Sequence, residues 1–265
     1  MCQDIFVEVG HGPTLIDNNI LLSDASLRFA TQGVAMVHNL ICGALTCVGE
    51  GTSWRYTPYH MPHRTEVMGF MTILHGDDRF YNNIFVQKWP SEDFITMHDS
   101  DDGFDSENRK VGTWMFDEYP TYDEWISQFD FTKPADMKKL ESVHFDHLPV
   151  WSEGNVYLNG AKAWKHEKNG FFSSENVKVE LTEKDGKYFL DTNIYEVLED
   201  FSGRMINTKV LGKAFEPEEF FENPDGTPIT FDTDYFGGHR GAKVIPGPFA
   251  EKEDVGKNVN ICTAF

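Results

Sequence analysis

The amino-acid sequence predicts an all-β chain wound as a parallel β-helix, a solenoid carrying one irregular, partly helical insertion. Three observations carry that reading. An Asn followed by two apolar residues recurs in "DNNILLS", "VHNLICG", "YNNIFVQ", "EGNVYLN" and "DTNIYEV". The opening stretch "CQDIFVEVGHGP" alternates like a strand and then stops at a turn. Helix signals are confined largely to residues 88–150. The repeat is anchored on Asn19, Asn39, Asn83, Asn155 and Asn193, with intervals of 20, 44, 72 and 38 residues. The first suits one coil and the second two coils of 22, whereas the last two require inserted segments. Asn suits such turns because it tolerates the left-handed conformation and its amide can bond to the Asn of the next coil. A β-sandwich in which a common turn-then-strand signal recurs by chance is the alternative.

In chain order, Ile5, Val7 and Val9 alternate with Phe6 and Glu8, so the aliphatic residues face a core and Glu8 shares the outer wall with Phe6. Gly10, Gly12 and Pro13 then end the strand and hold His11 in the turn. Residues 51–66, "GTSWRYTPYHMPHRTE", read as a loop broken by two prolines. Within the insertion, Thr121 and Glu124 form a capping-box pattern, and "KPADMKKLESV" reads as a second short helix. "VKVELTEKDGKYFLDTNIYEV" reads as a β-hairpin about Asp185-Gly186. The last forty-five residues read as turns and extended chain wrapping the end of the body.

At 265 residues with 40% hydrophobic content, the chain can bury a sizeable core as a single domain. Its 43 acidic against 23 basic residues leave a formal charge of −20, which opposes nucleic acid and anionic membranes as partners. No long apolar stretch or signal-peptide pattern is present, so the expected location is cytoplasmic. The cysteines at 2, 42, 47 and 262 lack CxxC spacing and read as reduced thiols. Aromatic residues reach 14%, and such rings either fill cores or stack on sugar C–H faces.

The densest polar and aromatic cluster brings Arg55, His60, His63 and Arg64 together with Trp54, Tyr56 and Tyr59. HxxH without a third ligand, beside two arginines, is poor metal chemistry, so no metal is expected there. Hydrogen bonds from His and Arg to sugar hydroxyls over an aromatic floor are one reading; a loop whose aromatics cover the solenoid is the other. "DSDDGFDSENR" places its glycine wrongly for an EF-hand and reads as a solvated acidic loop. His38 reads either as a core or turn histidine or as a ligand contact. Neither a dinucleotide fingerprint nor a P-loop occurs, and no cofactor is expected.

"DIFVEVGHGPTLIDNNILLS", "QGVAMVHNLICG", "RYTPYHMPHRT" and "LGKAFEPEEFFENPDGTPITFDTDYFG" together resemble the C-terminal part of β-xylosidases of glycoside hydrolase family 120. The resemblance implies a right-handed parallel β-helix and retaining hydrolysis of xylosides or xylo-oligosaccharides by two carboxylates. It puts Glu8 in the place of the general acid/base, with His11, His38, Arg55, His60, His63 and Arg64 as candidate sugar contacts. The family's nucleophilic aspartate lies about one coil earlier, in a Trp-Leu-Asp-Trp-like strand that this sequence lacks. A retaining enzyme needs its carboxyl groups about 5–5.5 Å apart, and one residue cannot perform both roles in the first step. The expectation is therefore a C-terminal portion of a catalytic domain, incomplete and inactive alone, completed by an N-terminal half or associating with itself. A non-catalytic carbohydrate-binding or assembly fragment is the alternative, and a β-helical polysaccharide lyase a third.

Overall fold

The computed structural model describes residues 3–47, 56–88, 111–251 and 259–263. Strand β1 (Gln3–Glu8) turns through Gly10–Pro13 into β2 (Thr14–Asp17) and then β3 (Ile20–Leu21). The chain then returns: β4 (Ala25–Ala30) lies parallel on β1, β5 (Val34–Val37) on β2, β6 (Leu40–Ile41) on β3, and β7 (Ala44–Cys47) on β4. After a two-stranded ribbon, β8 (Thr57–His60) with β9 (Val67–Met71), the circuit resumes with β10 (Asp78–Tyr81) and β11 (Ile84–Val86). A second excursion precedes β12 (Val150–Glu153), β13 (Val156–Leu158) and β14 (Phe171–Ser173). The result is three parallel sheets, β1-β4-β7, β12-β10-β5-β2 and β14-β13-β11-β6-β3, which the chain visits in rotation.

The Asn repeat is what ties successive circuits together. The Asn19 and Asn39 amides, 20 residues apart, are joined by Asn19 Nδ2 donating to Asn39 Oδ1 at 3.1 Å. Asn39 Nδ2 donates to Asn83 Oδ1 at 2.9 Å and Asn83 Nδ2 to Asn155 Oδ1 at 3.0 Å, and backbone N–H groups reinforce each step. Asn155 donates to the Glu167 carboxylate, which also accepts from the Tyr157 hydroxyl and ends the column. The left-handed positions are the residues just before: Asn18, His38, Asn82 and Gly154 have φ of 54°, 59°, 53° and 70°.

Two sequence expectations change here. Asn39 and Asn83 bond directly although 44 residues separate them, so that interval is one circuit holding an insertion, not two coils. Asn193 is outside the column; it precedes the short helix Ile194–Val197, and its amide bonds Lys178 N and Asn176 O. Asn83 is fully buried, so losing its side chain removes the acceptor of the Asn39 backbone N–H and the donor to the Met36 carbonyl and to Asn155 Oδ1. Asn83→Ala is expected to cost about 2–3 kcal/mol or more, and Asn19→Ala, at the half-buried end, under about 1 kcal/mol. Urea unfolding of both variants checks the contrast.

Inside the three sheets, Leu27, Phe29, Val34, Met36, Phe80, Phe85 and Tyr157 form the core. Phe85, Tyr157 and Phe172 stack ring on ring with centroids 5.2 Å apart, so part of the aromatic content is structural. The helices Tyr122–Ile126 and Met137–Ser142 form as predicted, the first with a complete Thr121/Glu124 capping box. Strands β15 (Val179–Lys184) and β16 (Lys187–Thr192) pair about Asp185 and Gly186, both at positive φ as a tight hairpin turn requires. That hairpin, Ile194–Leu198, Ile245 and Phe249 cover the outer face of the third sheet, and β17 (Val259–Thr263) extends the hairpin. Ile206, Leu211, Phe221 and Phe231 cover the outer face of the second. The C-terminal region thus packs on the flanks of the body.

Candidate active site

With the second and third sheets covered, the outer face of β1, at the edge of the first sheet, still carries exposed side chains. On β1 the even residues point outward: Asp4, Phe6 and Glu8 are exposed while Ile5 and Val7 are half-buried toward the core. Phe6 keeps 45% of its surface exposed, and the Arg28 guanidinium of the paired strand lies 5.3 Å from its ring centre. Pairing continues past Glu8, because Val9 N donates to Ala30 O at 2.8 Å. Glu8 is therefore mounted at the end of a fixed strand.

Directly beyond it opens a cleft of about 610 Å³. Its floor is Val9–Thr14, one wall is Thr57–His60 on β8, and the other carries Pro217 and Glu219. The segment from Thr57 to Met71 is thus a hairpin and not the loop expected from its prolines. A Cβ at Gly69 would lie 2.6 Å from the Tyr59 hydroxyl that crosses over it, so a larger residue there would displace the Tyr59 ring.

His11 lies under this hairpin, 4% exposed. Thr57 Oγ1 donates to Met71 O at 3.1 Å, so it must accept from His11 Nε2 at 2.9 Å. That assigns the proton to Nε2 and leaves a buried Nδ1 with no protein partner. Desolvation lowers the His11 pKa accordingly, and the ring is a neutral strut joining the β1–β2 turn to the hairpin. Tyr59 meets it edge-on at 5.7 Å.

The other expected contacts divide. His60 is exposed, lines the cleft and bonds Thr65 O through Nδ1 at 3.2 Å. Arg64 is exposed near the hairpin tip. His63, also at the tip, is engaged by Glu222 at 2.7 Å and by Glu219. His38 is a correction: it has no exposed surface, packs against Asn82 at 3.3 Å, and desolvation together with Arg240 holds its pKa well below the ordinary value. A side chain so enclosed offers no atom to a sugar. Arg55 and the acidic stretch 99–109 lie outside the described residues. Tyr59 belongs to the aromatic cluster legible in the sequence, whereas Phe6 and Glu219 are added by the structure; for Phe6 the sequence signal is its shared strand face with Glu8.

A partner carboxylate for Glu8 is not met on its own strand. Asp4 lies four residues back on the same face, about 13 Å away, and its carboxylate bonds Ser23. Asp17 belongs to the second sheet, where burial raises its pKa and Asn18 bonds it at 3.0 Å.

No protein-family model matches this chain, and no curated protein does. Among solved structures, that of XylC in complex with xylose is similar, with a TM-score of 0.80 and 31% sequence identity. The match covers 98% of this chain and 38% of the XylC chain.

Proposed function

We propose that this chain is the acid/base-bearing part of a retaining, β-xylosidase-like glycoside hydrolase acting on xylosides or xylo-oligosaccharides. The observation that carries the reading is the likeness to xylose-bound XylC over nearly the whole chain; it is supported by an open cleft whose floor begins at Val9, the residue after Glu8. On this reading the three sheets are coils of a right-handed parallel β-helix, residues 1–265 form one domain within a longer catalytic unit, and its location is cytoplasmic. Glu8 gives its proton to the glycosidic oxygen as the bond breaks and later takes one from water. Phe6 and Tyr59 offer apolar faces to sugar rings, with His60 and Arg64 as hydroxyl partners and His11 holding the wall that carries them. Arg55 belongs to the same proposed set. The nucleophilic carboxylate is proposed to come from a further segment, since Asp4 lies about 13 Å back along the strand and Asp17 sits on the second sheet.

The placement of Asp4 and Asp17 also favours a second reading, carbohydrate binding without hydrolysis. Both readings require a sugar site. Titration with D-xylose, followed by amide NMR, is expected to shift resonances of Phe6–Thr14 and Thr57–His60; unchanged spectra at tens of millimolar sugar defeat both. The chain alone is expected to hydrolyse an aryl β-xyloside no faster than buffer, and sustained turnover would require another nucleophile within it.

A further inference from the structure

The geometry points to His63 as a charge-dependent clasp that holds the two walls of the cleft together, a positioning residue and not a sugar contact. The hairpin β8–β9 forms one wall and the segment around Pro217–Glu219 the other. His63 sits at the hairpin tip and bridges them. Its backbone N–H donates to Glu219 Oε1 at 3.1 Å, and its Nε2 reaches Glu222 Oε1 at 2.7 Å. Nδ1 stands 3.9 Å from the same Glu219 oxygen. His63 has φ of 56°, the left-handed conformation of a turn position at the hairpin tip.

Two carboxylates converge on one imidazole, and like charges so placed repel unless a cation lies between them. Protonated His63 supplies that cation and gives both ring nitrogens a proton to donate. Neutral His63 donates from one nitrogen only, so it keeps one carboxylate and releases the other. The walls are therefore drawn together when the imidazole carries its second proton and loosened when it does not. Among the described residues, the other charged groups near the two elements are His60, Arg64 and Glu66 on the hairpin and Glu216, Glu218 and Asp225 on the facing segment; His60 Nδ1 is engaged with Thr65 O, and the Asp225 carboxylate accepts from the Thr227 hydroxyl. Glu219 also lines the cleft, so a ligand hydroxyl that takes its carboxylate competes with the hairpin tip for it.

The test is hydrogen exchange of the hairpin amides, expressed as protection factors and measured from pH 5 to 8. In the unmodified chain, protection of His63 and its neighbours is expected to be higher at the acid end, by up to about fivefold, the equilibrium worth of an exposed ion pair near 1 kcal/mol. His63→Arg, a permanent cation, should abolish the pH dependence, and Glu222→Gln should lower protection at pH 5. Circular dichroism and protection of the core strands verify that each variant folds. Protection that stays flat with pH in the unmodified chain, or that keeps its slope in His63→Arg, overturns the clasp. Neither result depends on turnover or sugar binding.

Discussion

Glu8→Ala is expected to slow cleavage of an alkyl xyloside or xylobiose by about 10²–10⁴-fold, the usual worth of a positioned general acid, once a nucleophile-bearing segment is supplied. Cleavage to an acidic nitrophenol should suffer far less in the first step, because that leaving group departs without a proton. The second step still needs Glu8 to deprotonate water, so the glycosyl-enzyme should accumulate on activated substrates. Azide needs no base and should restore turnover, yielding the β-glycosyl azide. Equal slowing of good and poor leaving groups, without azide product, would make Glu8 a folding or positioning residue. The exposed placement of its side chain argues against a folding role, so circular dichroism of the variant should be unchanged.

The largest loss of stability is expected at Arg79. This side chain is 3% exposed on the outer face of β10 and fastens the C-terminal region to the second sheet. Its guanidinium donates to the carbonyls of Leu211 and Lys213, both at 2.7 Å, and to the Asp77 carboxylate at 2.7 Å. It also lies 4.5 Å from the Trp151 ring centre and 4.7 Å from that of Phe221. Arg79→Met keeps apolar volume but leaves Asp77 as a buried charge without its cation, which costs about 3–5 kcal/mol. Asp77→Asn in the same chain should recover part of that loss.

The pH dependence has a definite sign. Burial already raises the folded-state pKa of Asp77 despite the attraction of Arg79, and removing the guanidinium raises it further. A carboxyl with a raised folded pKa contributes stability at low pH and loses it as pH rises through that value. The deficit of Arg79→Met should therefore shrink as pH is lowered from 7 toward 5. Urea midpoints across that range, with proteolysis of residues 204–250 as a local readout, check it. A deficit constant with pH would place the damage in packing instead of charge.

What the sequence disclosed was mostly what is local. The Thr121/Glu124 cap, the turn at Asp185-Gly186 and the inward alternation of Ile5 and Val7 each depend on residues a few positions apart. Asn19, Asn39, Asn83 and Asn155 were legible because a repeated circuit makes distant residues equivalent. Asn193 shows the limit of that reasoning: it has the same neighbours but begins a helix beyond the last circuit. The hairpin Thr57–Met71 was hidden by its prolines, although Pro58 tolerates a place on a two-stranded ribbon. His63 and Glu222 lie 159 residues apart, and no periodicity connects them. His38 was ambiguous because a left-handed turn position and a ligand position can both be filled by histidine.

Both large excursions, between β7 and β10 and between β11 and β12, leave and rejoin the circuit at corners, and the strands on either side pair in register regardless. A corner loop can thus grow by tens of residues at only a slowly rising entropic cost, without displacing any strand in the stack. On the proposed reading, specificity and scaffold are separable: one wall of the cleft is itself such an excursion, while Glu8 belongs to the stack. Replacing residues 57–71 by a loop of different length should remodel what the cleft admits and leave the column of asparagines untouched.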